Sequence, residues 1–191
     1  TMPYPSLTQN LHHEIELVVA IGTGGRNITA ADAPKHIYGY AVGLDMTRRD
    51  LQNEMKKQGR PWCIGKGFDH SAPIGPITPV AQAGDLDQAA IWLKVNGATK
   101  QNATLRHMIW SVAEQISKLS EANELFPGDI IYSGTPENVG PVVRGDVIEA
   151  IGTRRARQLF LTGNSFDADY AAHAGLIDQE REGRHLIYRA V

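Results

Sequence analysis

The stretch Leu11-His12-His13-Glu14-Ile15-Glu16-Leu17-Val18-Val19 sets two carboxylates into what is otherwise the pattern of a buried strand. Side chains two residues apart on a strand point to the same face, so Glu14 and Glu16 are expected to share one small volume. Carboxylates confined together repel unless a cation or a proton holds them. Such a strand must therefore gather positive charge, or lie at an exposed edge where water screens it.

Size allows either outcome. A chain of 191 residues can bury one hydrophobic core. Its 19 lysines and arginines against 21 aspartates and glutamates leave a formal charge of −2, which gives no global attraction to nucleic acid or to an anionic membrane. An anionic substrate must then be gripped locally. The lone Cys63 excludes an intrachain disulfide and a cysteine-rich metal cluster, in keeping with a reducing compartment. No apolar run approaches the roughly 20 residues that span a bilayer, and no basic segment followed by an apolar one opens these residues. The expectation is a soluble, cytoplasmic protein.

Along the chain, Glu14 to Ile21 reads as a strand closed by the turn Gly22-Thr23-Gly24-Gly25, and Ile37 to Leu44 as a second strand ending at Asp45. Thr47 and Asp50 suggest a capping box for a helix running to about Lys57 and stopped by Gly59. Arg49 and Gln52 would lie on one face of that helix. Ile91 to Val95 with Asn96-Gly97 predicts a hairpin. Leu105, Met108, Ile109, Val112, Ile116 and Leu119 recur at helical spacing and predict one amphipathic helix. Phe126-Pro127-Gly128-Asp129 is a turn before the strand Ile130-Ile131-Tyr132, which the loop Ser133-Gly134-Thr135-Pro136 closes. Arg144-Gly145-Asp146 is a further turn. Short strands, frequent glycine turns and few helices describe a strand-rich α+β fold without βαβ repetition. Residues 1–150 carry this pattern; residues 151–191 form a divergent tail that belongs to the same single domain. The tail has poor periodicity, a helical expectation from Ala171 onward, and a surface cluster at Arg154 and Arg155.

Glu14, Glu16 and Asp45 together offer hard oxygen ligands that suit Mg²⁺ or Mn²⁺, or Ca²⁺, better than Zn²⁺. The alternative is that the glutamates pair with nearby arginines or lie at a strand edge. Of His12 and His13, one is expected to orient a ligand or water and the other to be structural. Lys66, between Gly65 and Gly67, can approach a ligand closely and stabilise a developing enolate or oxyanion, or else is a solvated loop lysine. Arg49 can grip a carboxylate as a fork, and Thr135 can hydrogen-bond one or cap its own turn.

These residues, in this order, carry a resemblance. His13-Glu14-Ile15-Glu16-Leu17, then Gly39 to Gln52, Lys66-Gly67-Phe68-Asp69, Ile91 to Gly97, and Phe126 to Pro136 with Val139-Gly140-Pro141 resemble the fumarylacetoacetate hydrolase family over residues 5–150. The branch resembled is that of the small acylpyruvate hydrolases, nearest to those acting on fumarylpyruvate. The resemblance implies a mixed β-sandwich roll, usually paired as a homodimer. It also implies Glu14, Glu16 and Asp45 as metal ligands, Lys66 as the active-site lysine, and Arg49, Gln52 and Thr135 as groups facing the substrate. The implied reaction is hydrolysis of the C3–C4 bond of a small anionic 2,4-diketo acid, giving pyruvate and a carboxylic acid. Oxaloacetate decarboxylation is the enzymatic alternative. Members of this branch also carry a leading Gly-Arg-Asn-Tyr segment and a histidine with a glutamate three residues on, which activates water. That segment does not stand ahead of Thr1; Tyr170-Ala171-Ala172-His173 is a displaced substitute, with Leu176 in the place of the glutamate. A noncatalytic scaffold binding metal or a small acid is therefore the reading from a different class.

Overall fold

The computed structural model describes the backbone of residues 2–152, 159–161, 177–182 and 185–190, and the side chains of residues 2–150. Two antiparallel four-stranded sheets form its centre. One has β2 (Ile15–Ile21) and β3 (Ile37–Leu44) in the middle, flanked by β5 (Thr78–Pro79) and β8 (Ile130–Tyr132). The other is ordered β11 (Leu159–Leu161), β10 (Ile148–Gly152), β6 (Ala90–Val95), β7 (Ala98–Thr104). They meet through β2 with β6 and β3 with β10. The strand-rich α+β architecture expected from the sequence is the one observed.

The core follows from alternation. Ile15, Leu17, Val19 and Ile21 project from β2 onto Ile91, Leu93, Val95, Ile148 and Ala150 of the facing sheet, in one buried cluster. The other face of β2, carrying Glu16 and Val18, is covered as well, so all seven residues of the strand are buried. Burial of both faces explains why the segment reads as nearly continuous apolar sequence, and why its carboxylates must find partners within the protein.

Four expectations need correction. Leu11 to Val19 is not one strand: β1 (Leu11–His13) belongs to a separate three-stranded sheet with β4 (Thr47–Arg48) and β9 (Gly140–Val142), and the chain changes sheets at Glu14. There the Ile15 N–H donates to the Gln101 side chain at 3.1 Å instead of to a neighbouring strand. Thr47 caps no helix, because it lies in β4 and its hydroxyl donates to the Asp45 carbonyl at 3.0 Å. The helix α1 (Arg49–Lys57) starts two residues later without a side-chain cap, and ends as expected ahead of Gly59, whose φ is +64°. The stripe from Leu105 to Leu119 is split into a 3₁₀ turn at Leu105–His107 and α4 (Val112–Ala122). Ser111 and Glu114 form a capping box that starts α4 there, leaving Ile109 96% exposed. In the tail, where a helix was expected, β12 (Ile177–Glu182) pairs with β13 (His185–Ala190) as antiparallel strands. The candidates Arg154, Arg155, Tyr170 to His173 and Leu176 lie outside the described residues. No helix among the described residues is long and apolar enough to cross a membrane.

Two small helices flank these strands, α3 (Val80–Ala83) against β3 and α2 (Cys63–Lys66) against β4 and α1. The second presses on α1 because Gly65 has no side chain, and a Cβ there would stand 3.0 Å from the Gln52 Cβ. Gly43 does the same inside the sheet. A Cβ on Gly43 would stand 2.6 Å from the Tyr132 ring and 2.7 Å from Val18 Cγ2. That ring is pinned by the Tyr132 hydroxyl donating to the Ala72 carbonyl at 2.8 Å. Gly43→Ala is expected to cost about 1–3 kcal/mol of stability by overpacking. Urea unfolding of the two proteins checks this, and an unchanged midpoint would show that the ring yields freely.

Candidate metal and substrate site

The register of β2 against β3 builds the site. Ile15 lies opposite Leu44 and Glu16 opposite Gly43. One step further the ladder sets Asp45 opposite Glu14, with the Asp45 N–H donating to the Glu14 carbonyl at 2.9 Å. Carboxylate oxygens of Glu14, Glu16 and Asp45 consequently lie within 4.8 Å of one another. Gly43, opposite Glu16, leaves the space that the Tyr132 ring fills.

Positive charge arrives from α1 and α2. The Lys66 ammonium donates to Glu14 Oε2 at 2.7 Å and to Asp45 Oδ2 at 2.5 Å. Arg49 pairs with the other Glu14 oxygen and donates to Gln52 Oε1 at 2.5 Å. Glu14 is thus paired with an arginine, as one alternative read from the sequence had it, and is also grouped with two further acids. The Arg49 Nε is buried and has no hydrogen-bond partner among the described residues.

Glu16 is held differently. Its Oε2 accepts from the Gly134 N–H at 2.8 Å, and no ion pair among the described residues reaches it. Burial pushes its carboxyl up to about 7; the charges of Asp45 and Glu14 add to the rise, while the Gly134 N–H and Lys66 oppose it. Asp45 is raised too, by burial, against its bond to Lys66. Burial also pushes the Tyr132 hydroxyl up to about 12, helped by Glu16 and Asp45. If all are ionised, three carboxylates face two cations, which leaves one negative charge in a half-buried place. A divalent cation inverts that sign and makes the site attractive to an acid. The donor set of three hard carboxylate oxygens fits Mg²⁺ or Mn²⁺.

Thr135 stands one step from this cluster, joined to it through its neighbour Gly134. Its Oγ1 accepts from Gln101 Nε2 at 3.0 Å. The residues from Ser133 to Glu137 also line a cavity of about 840 Å³ with Leu17, Ile91, Leu105 and Trp110. The two histidines bond elsewhere than to the acids: His13 Nδ1 bonds Gln101 Oε1 at 2.9 Å, and His12 Nε2 bonds Asn10 Oδ1 at 3.0 Å. Burial lowers the pKa of both. Among the described residues no imidazole is hydrogen-bonded to the carboxylate cluster.

Gln101 is the residue that sequence reasoning missed. It lies 0% exposed in a strand whose other residues are mostly polar and exposed, so no apolar alternation marks it. Counting outward from the Asn96-Gly97 turn would set Lys100 opposite Leu93. A register shift between Leu93 and Lys94 sets Gln101 there instead, facing the core.

Comparison with known proteins accords with this geometry. A family model described as fumarylacetoacetate (FAA) hydrolase C-terminal matches residues 1–164. The fumarylpyruvate hydrolase of Ralstonia sp is 49% identical over 148 residues, covering 78% of this chain and 77% of that protein. The mitochondrial oxaloacetate tautomerase of Bos taurus is 44% identical over 146 residues, which is 76% of this chain and 66% of the tautomerase. The crystal structure of fumarylpyruvate hydrolase from Pseudomonas aeruginosa in complex with Mn²⁺ and pyruvate superposes with a TM-score of 0.81 at 52% identity, covering 83% of this chain and 68% of that one.

A carboxyl that holds its proton up to about pH 7 must surrender it to a metal. Below that pH, Mn²⁺ binding is expected to release a proton and its apparent affinity to rise with pH; above it, both effects level off. Calorimetry in buffers of different ionisation enthalpy reads the proton count, and Glu16→Gln should abolish the release.

Proposed function

The chain belongs to the fumarylacetoacetate hydrolase family and is a hydrolase of carbon–carbon bonds, and from that premise we propose that it cleaves the C3–C4 bond of an acylpyruvate, with fumarylpyruvate as the preferred substrate. The observation that carries this reading is the convergence of Glu14, Glu16 and Asp45 beside Lys66 and Arg49.

In this reading Glu14, Glu16 and Asp45 would hold a Mg²⁺ or Mn²⁺ ion, which would supply Lewis acidity to the substrate. The chain's own groups do the rest. Arg49, with Gln52 beside it, grips the substrate carboxylate through its guanidinium, and Thr135 offers it a hydroxyl. Lys66, already in contact with two of the ligands, presents its ammonium where negative charge develops. Water adds to the C4 carbonyl to give the hydrate; loss of one hydrate O–H proton breaks the C3–C4 bond with its electron pair leaving on C3 as the pyruvate enolate, and a proton taken up at C3 balances the one lost. Protonation of C3 gives pyruvate, and the acyl half leaves as a carboxylic acid, fumarate from fumarylpyruvate. Oxaloacetate is a second substrate to test, because a relative at 44% identity is named for it and its chemistry also runs through an enol.

Pyruvate release from fumarylpyruvate and acetylpyruvate is expected to depend on Mn²⁺ or Mg²⁺ and to stop with chelator or Glu14→Ala. Lys66→Met should lower kcat by about 10²–10³-fold, the usual loss of an oxyanion donor. Absence of turnover by a chain that still binds Mn²⁺ would instead support the binding-scaffold reading. Light scattering on the same sample reads the expected homodimer.

A further inference from the structure

Gln101 joins elements that the proposed chemistry needs at a fixed separation. Its Oε1 accepts from the Ile15 N–H at 3.1 Å and from His13 Nδ1 at 2.9 Å, on either side of Glu14. Its Nε2 donates to Thr135 Oγ1 at 3.0 Å, the Pro136 carbonyl at 3.0 Å and the Glu137 carbonyl at 3.3 Å. An amide nitrogen has two protons, so the three acceptors share them. The orientation of the amide is set by its partners: a backbone N–H faces Oε1 and two carbonyls face Nε2, and the reversed amide would meet like with like. His13 Nδ1 accordingly donates.

One consequence falls on Thr135. A hydroxyl has one proton to give, and Gln101 occupies a lone pair of Thr135 Oγ1 with its own N–H. The Thr135 proton is thereby turned away from Gln101, and the bond it accepts makes it a better donor to an anion. A second consequence is geometric. The same loop sends the Gly134 N–H to Glu16 at 2.8 Å, so the strand carrying the acids and the loop carrying the hydroxyl are tied both at Glu16 and at Gln101.

We infer that Gln101 is a positioning residue for the substrate carboxylate: its buried amide aims the Thr135 hydroxyl and sets the Ser133–Glu137 loop against the strand that carries Glu14 and Glu16. This rests on the reading of Thr135 as a group that faces the substrate. Gln101 touches neither the acids nor the substrate, and it acts through Thr135.

Binding measured in two stages tests it. Gln101→Glu keeps an acceptor for Ile15 and His13 but replaces the donor arm by an oxygen facing two carbonyls. In the Mn²⁺-loaded protein, this variant should bind pyruvate at least about tenfold more weakly, while Mn²⁺ alone binds within about threefold of wild type. KM for the acylpyruvate should rise more than kcat falls. Thr135→Val should cause a similar loss of pyruvate affinity, and the double variant should lose little beyond the larger single loss; Thr135→Ser should retain both affinity and coupling. Losses that multiply in the double variant would overturn the inference, as would equal weakening of Mn²⁺ and pyruvate. Far-UV circular dichroism covers the remaining case: a loss that only tracks the folded fraction, in Gln101→Glu or in Gln101→Met, would also overturn it. Wild-type protein that binds Mn²⁺ but no pyruvate would overturn the diketo-acid reading itself, and this inference with it.

Discussion

Repulsion among three acids is the constraint around which the rest is arranged. Glu14 and Glu16 are 6% and 4% exposed, and Asp45 joins them from the next strand. Water screens Glu14 and Glu16 little there and reaches Asp45 only in part, so the protein answers each acid differently. Glu14 takes Arg49 and Lys66, Asp45 shares Lys66, and Glu16 receives a backbone N–H and retains its proton up to about pH 7. The cost of holding these groups together is a cost only in the absence of a cation, which is the physical basis for reading the cluster as a metal site.

The remaining architecture delivers the answers to that repulsion. β2 and β3 pair in the one register that faces Asp45 with Glu14. Gly65 lets α2 sit on α1, which brings Lys66 to the acids from one helix and Arg49 from the other. The loop after β8 is held by Ser133 donating to the Leu17 carbonyl at 2.8 Å and by Gly134 donating to Glu16. The core built from β2, β3, β6 and β10 is thus also the frame that fixes distances among charged groups, and packing and chemistry meet where the two central strands of one sheet end.

Much of this was legible in the residues themselves. Strand boundaries at Ile37–Leu44, the Asn96-Gly97 hairpin with φ of +51° and +78°, and the turn at Phe126–Asp129 all follow from local chemistry. So does the grouping of Arg49 with Gln52, three apart on α1. The failures have a common origin in competition between a local signal and a distant partner. Thr47 looked like a cap, but β1 recruits it into a sheet. The apolar stripe from Leu105 suggested one helix, yet the capping box at Ser111 begins it later.

By itself the sequence determined the candidate acids, the alternation that shares Glu16 with a buried face, and the local turns, because each depends on side-chain chemistry or on contacts a few residues long. Tertiary structure decided which acids meet, where the positive charge enters, and that Gln101 rather than Lys100 turns inward. Those outcomes depend on register between strands, and a single bulge at Leu93 and Lys94 changes which side chain faces the core. Residue spacing along the chain carries no record of such a shift; only the pairing of distant strands creates it.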